Sequence, residues 1–154
     1  MDRRREDLDG ALTTFGFEID EVSPEKVSGH MEVREKCCQP YKVLHGGVTA
    51  LIAEAIASIG GHVASPEKRR VAGVNLSISH VKSAKLGDYV VAEATPLSVG
   101  KTIQVWDVRF WKCDSSTSDV KTLISSARLT LLCNLPVPES HRKVGDIINS
   151  YAKL

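Results

Sequence analysis

Glu54 is the one carboxylate in the run Gly47–Val63, with Ile52, Ala53, Ala55 and Ile56 around it. Burying an unpaired carboxylate is costly, so a carboxylate in such a run must be partnered, protonated or open to a cleft. At helical spacing its same-face neighbours are Ala50, Leu51, Ala57 and Ser58, a strip of mostly small residues with a hydroxyl one turn on. Two roles fit these residue types. One is a structural carboxylate paired to a base from elsewhere in the fold; the other is a nucleophile or general base.

His45-Gly46-Gly47 stands where a loop becomes a helix. The first amides of a helix have no internal partner, and the dipole there favours negative charge. Glycine lets another group approach the backbone closely. A carbonyl oxygen that becomes an oxyanion suits such a place, as does a plain glycine helix start. From Gly46 to Glu54 the helical rise is roughly 12 Å, and a side chain leaning toward the N-terminus does not close that gap. If both groups act on one carbonyl, two subunits contribute, which predicts a homodimer with a shared site.

The elements that must position these groups are legible from periodicity and punctuation. Arg3–Thr14 reads as a short helix ending near Gly16. Phe17–Val22 and Lys26–Val33 alternate polar and apolar residues around Ser23-Pro24, an antiparallel hairpin. The central helix spans Gly47–Val63, closed by Gly60-Gly61 and then Pro66. Four strand-like runs follow, Val71–Val81, Tyr89–Val99, Thr102–Trp111 and Val120–Cys133, with the polar loop Lys112–Asp119 before the last. A helix apolar on all sides must be covered on most of them. The expected fold is α+β: an antiparallel sheet, ending in a four-strand meander, wrapped around one long helix.

The whole-chain totals narrow the class. At 154 residues, 42% apolar and 25% charged, the chain fits one ordinary globular domain. A net charge of +1 supplies no drive toward nucleic acid. No apolar run approaches the ~20 residues of a spanning helix, and MDRRREDLDG lacks the apolar core of a secretory signal. Cys37, Cys38, Cys113 and Cys133 form no C-x-x-C pair and no zinc spacing with the histidines, and read as reduced packing residues. Neither a metal nor a redox cofactor is implied.

Gln39, His45-Gly46-Gly47, Glu54 and Ser58, at this spacing, resemble the hotdog-fold acyl-CoA thioesterases of the 4-hydroxybenzoyl-CoA type. The likeness continues through SHVKSAKLGD, LSVGKTIQVW and SSARLT, and so covers about Phe17 to Cys133. The resemblance implies hydrolysis of an aromatic acyl-CoA, with CoA entering only as part of the substrate. It also implies that Gly46 polarises the thioester carbonyl with Gln39 assisting, and that His45 braces the loop. Glu54 of the facing subunit would attack the carbonyl or activate water, with Ser58 positioning that water or the carboxylate. Some members carry threonine at the place of Ser58; either residue supplies the hydroxyl. Members usually assemble as dimers of dimers.

Coenzyme A carries phosphates, so cations are needed at the mouth of the site. The candidates are His80, Lys82, Lys101 and Arg128, with Gly47, Ser98, Gly100 and Ser126 as further substrate contacts. Each basic residue also reads as a solvated surface charge, and His80, alternating with Ile78, as a core histidine. A dehydratase would need a histidine paired with the acid, and His45 lies outside the helix. A non-catalytic acyl-CoA-binding module has no use for Glu54. No G-x-S-x-G supports a serine hydrolase.

The domain is expected over residues 1–135, followed by a tail over residues 136–154. The tail ends in Ala152-Lys153-Leu154, which resembles the S-K-L address read by the peroxisomal import receptor. With two prolines after the last strand, the segment reads as accessible.

Overall fold

The computed structural model describes residues 8–65, 69–115 and 119–152. Helix α1 (Gly10–Thr14) is capped by Asp9, whose carboxylate accepts from the Ala11 and Leu12 amides. It ends at Thr14, and the chain turns away at Gly16, where φ is +74°; the expected start at Arg3 lies outside the described residues. Strands β1 (Glu18–Val22) and β2 (Val27–Glu32) form the predicted hairpin. Helix α2 (Gly46–Ala64) follows. Then come β3 (Arg70–His80), β4 (Tyr89–Val99), β5 (Ile103–Cys113) and β6 (Thr122–Leu135). Pro66 and part of the loop before β6 lie outside the described residues.

The six strands form one antiparallel sheet in the order β1-β2-β4-β5-β6-β3. The expected four-strand meander is therefore only three strands long. β3 pairs with β6 on the far edge, and β4 takes β2 as its other neighbour. The link from β3 to β4, residues 81–88, is too long for a tight hairpin and lets the chain cross back.

Alternate residues of the central strands point at α2. Val90, Ala92, Trp106, Val108, Phe110 and Leu129 are fully buried against Ile52, Ala53, Ile56 and Ala57. Gly60 and Gly61 do not close the helix, which runs on to Ala64. They let it lie close on the sheet: a Cβ on Gly60 would come within 2.5 Å of the Trp106 ring, and one on Gly61 within 2.6 Å of Leu131. Beside them the buried Gln104 donates from Nε2 to the Gly61 carbonyl at 3.0 Å and accepts from Trp106 Nε1 at 2.8 Å. By length and composition α2 could cross a membrane, contrary to the expectation from apolar runs alone, but more than half of it is buried here as a core helix.

The C-terminal segment is more than an extended tail. After a 3₁₀ turn (Glu139–His141) it forms helix α3 (Arg142–Ser150), which crosses α2. A Cβ on Gly145 would lie 3.2 Å from His62 Cε1, so the two helices meet closely there. Val144, Ile147, Ile148 and Tyr151 recur at helical spacing, and Ile148, Tyr151 and Ala152 pack against the core. Lys153 and Leu154 lie outside the described residues.

Candidate active site

The loop before α2 is held like a short strand. Leu44 N–H donates to the Ala84 carbonyl and His45 N–H to that of Cys37, each at 2.8 Å. Val43 bridges to Lys85. Lys42 takes the left-handed conformation, with φ 62°, and the Glu35 carboxylate 2.7 Å from its ammonium holds that group above its ordinary pKa. Within this turn Gln39 Oε1 accepts from the Tyr41 amide, a bond that does not use its Nε2.

Where the loop enters α2, the leading amides can be accounted for one by one. Gly47 N–H donates to His45 Nδ1 at 2.8 Å, so His45 is the N-cap and its neutral ring carries the proton on Nε2. The Val48 and Thr49 amides both donate to the His45 carbonyl, at 3.0 and 3.1 Å. Gly46 N–H is the leading amide that none of these bonds uses. An acceptor arriving there meets a free donor and the positive end of a 19-residue helix.

His80 closes one side of this place. Its Nδ1 is hydrogen-bonded to Ser125 Oγ at 3.1 Å. Its Nε2 faces Gly46, where a Cβ would come within 3.0 Å. The side chain is exposed, so His80 is not the core histidine that alternation with Ile78 allowed.

Two turns along α2, Glu54 opens onto a cavity of about 900 Å³. Gly47, Ala50, Leu51 and Ser58 line it from the same helix, and Val144 and Ile148 of α3 from another side. Glu54 is exposed, so of the three conditions open to a carboxylate in such a run the fold takes the cleft. The sheet covers one side of α2 only, and the small residues on this face leave a gap. Among the described residues Glu54 makes no hydrogen bond or ion pair, so the fold does not build the paired structural carboxylate. Gly73 of β3 faces it, where a Cβ would stand 2.6 Å from Glu54 Oε1.

The structure thus gathers His45, Gly46, Gly47 and His80 at the start of α2, and Glu54 and Ser58 along its cavity face. Lys82 is exposed just past the end of β3. The other contacts expected for coenzyme A lie elsewhere on this chain. Ser98 is the last residue but one of β4, and Gly100 and Lys101 form the β4–β5 turn, after which Gln104 reaches Gly61 near the C-terminal end of α2 and not its start. Ser126 and Arg128 alternate with the buried Ser125, Ala127 and Leu129, and so face away from α2. Arg128 lies 3.9 Å from Asp107 on that outer face.

Sequence reasoning missed the wall built by α3 and the contact of Gly73 with Glu54. The first had a signal in the spacing of Val144, Ile147, Ile148 and Tyr151. The second had none, because it joins residues on different elements.

A sequence model of the thioesterase superfamily matches residues 41–118, the stretch holding the α2 N-terminus, Glu54, Ser58 and His80. The chain belongs to the thioesterase superfamily. It is 54% identical to 1,4-dihydroxy-2-naphthoyl-CoA thioesterase 2 of Arabidopsis thaliana over 90% of this chain and 88% of that protein. A 1,4-dihydroxy-2-naphthoyl-CoA hydrolase of Listeria monocytogenes is 34% identical, over 79% of this thioesterase and 94% of its own length. Among solved structures, a thioesterase from Haemophilus influenzae superimposes with a TM-score of 0.73 at 30% identity, covering 85% of this chain and 87% of that one. The α+β hotdog architecture expected from the sequence is the one this thioesterase adopts.

Proposed function

We propose that this thioesterase hydrolyses 1,4-dihydroxy-2-naphthoyl-CoA to 1,4-dihydroxy-2-naphthoate and free CoA, a step of phylloquinone (vitamin K1) biosynthesis. The observation that carries the substrate is the 54% identity, across 90% of the chain, to the Arabidopsis thioesterase of that name. The chemistry is supported by the unused Gly46 amide at the N-terminus of α2 and by the unpaired Glu54 carboxylate on the cavity.

The thioester oxygen accepts from Gly46 N–H, with Gln39 Nε2 as a second donor, so charge developing on that oxygen meets fixed dipoles. Glu54 then adds to the carbonyl carbon, or takes a proton from the water that adds. Ser58, one turn further along, holds that water or the carboxylate. The C–S bond breaks, the sulfur leaves as CoA thiolate, and a proton restores the thiol. The net reaction consumes one water and needs no cofactor.

Gly46 and Glu54 of one helix are roughly 12 Å apart along its axis, so one carbonyl is served by two subunits. The free edge of β3 supports such an assembly. It presents Val74 at 57% exposure and has no strand beyond it among the described residues. A pair of dimers, as is usual for members of the family, would place four chains in the particle. The Ala152-Lys153-Leu154 ending supports import into peroxisomes.

A thiol-release assay across aryl- and fatty acyl-CoA esters tests the substrate. Preference for the dihydroxynaphthoyl ester is expected; equal or faster turnover of long fatty acyl-CoA would replace this reading by a broad-range one.

A further inference from the structure

Glycine inside a strand forfeits side-chain packing and costs backbone entropy, so its presence asks for a reason. Gly73 sits in the interior of β3, and its φ lies outside the left-handed range, so the backbone there accepts any L-residue. What it lacks is room. An ideal Cβ on Gly73 would stand 2.6 Å from Glu54 Oε1, 3.1 Å from Cδ and 3.4 Å from Cγ. The direction a side chain would take from this strand is already filled by the glutamate.

The strand is shaped around that place. Pairing of β3 with β6 shifts register between Arg70 and Ala72 and again between Gly73 and Asn75, so an irregularity flanks Gly73 on either side. Such bulges re-aim a strand locally and are over-represented beside active sites. On the helix, the small residues Ala50 and Ser58 line the cavity beside the carboxylate; on the strand, Gly73 faces it.

We infer that Gly73 is a positioning residue for the hydrolysis: it leaves on the edge strand the seat in which the Glu54 carboxylate lies. This rests on Glu54 being the reacting carboxylate. The atom that meets the missing Cβ is the far end of a flexible side chain, whereas the strand is tied to β6. A methyl group at position 73 therefore moves the carboxylate and leaves the sheet where it is. The seat decides where the reacting oxygen stands and not whether the protein folds.

The experiment is a cycle of Gly73→Ala and Glu54→Asp, with Glu54→Gln beside it, measuring kcat, KM and melting temperature on the full chain. Gly73→Ala alone should lower kcat by roughly the 10²-fold that a displacement of about 1 Å costs, with KM and melting temperature nearly unchanged. Aspartate is one methylene shorter, so the atoms it brings nearest the added methyl stand about where glutamate has Cγ and Cδ, at 3.4 and 3.1 Å instead of 2.6 Å, and the clash is largely relieved. In the Glu54→Asp background Gly73→Ala should therefore cost much less than in the parent. A loss equal in both backgrounds would mean that alanine acts through the fold, and would overturn the positioning role, as would an unchanged kcat in Gly73→Ala. If Glu54→Gln itself kept full turnover, the catalytic reading of Glu54 would fall first, a result distinguishable from the failure of the seat alone.

Discussion

Nε2 of His80 stands against Gly46, close enough that a Cβ there would come within 3.0 Å of it, while Ser125 holds the other ring nitrogen at 3.1 Å. The free amide of α2 is thus approached past an imidazole whose orientation is set from β6. Gly46→Ala is expected to fold well, since alanine is a better helix former than glycine. The methyl makes the His80 ring give by a few tenths of an ångström and narrows the approach to the amide. Turnover should fall toward the ~10²–10³-fold loss of a removed oxyanion donor. Steady-state kinetics and thermal melting on the one variant check this; unchanged kcat would show that the space between Gly46 and His80 does not limit access to the amide.

Glu54→Gln keeps the size of the side chain and removes both nucleophile and base. Because Glu54 is exposed and makes no ion pair among the described residues, its loss should change stability by no more than about 0.5 kcal/mol. The rate should fall by ~10²–10⁴-fold, as for a lost acid–base group, with acyl-CoA still bound. A variant that melts early but turns over normally would identify the carboxylate as structural.

Much of this was readable before any coordinates. The α2 span was clear because Pro40, Gly46 and Gly47 punctuate its start and an apolar run fills it. The strands after it were clear because each alternates at period two. The place of β3 was not, since pairing with β6 joins segments some fifty residues apart and leaves no local trace. Which of its three conditions Glu54 takes was left open for a related reason. Apolar residues all round a helix suggest full cover, yet Ala50 and Ser58 are small enough to border a cavity instead. Gly60 looked like a terminator because its partner, Trp106, belongs to another element.

That last contact yields a stability test. Gly60 lies on the fully buried Trp106 ring, with 2.5 Å available where a Cβ would go. Gly60→Val should destabilise by at least the ~1–3 kcal/mol of overpacking. Denaturant unfolding measures it; a stability equal to the parent would show that α2 can lift from the sheet without penalty.

Removing residues 152–154 should leave hydrolysis intact and shift a tagged protein from peroxisomes to the cytosol. Fluorescence localisation of the two forms, with activity measured on each, is the check. Peroxisomal import of the shortened chain would show that the address lies elsewhere.

The hydrogen bond from Gln104 to the Gly61 carbonyl sets the phase of α2. Successive residues of a helix differ by about 100° in direction, so a slip of one residue against the sheet would turn Glu54 away from Gly73 altogether. The amide of Gln104 finds an unshared carbonyl where glycines bring the helix close enough to reach, and so it indexes the helix near its far end. The bearing of Glu54 two turns earlier is then fixed by a peg in the core.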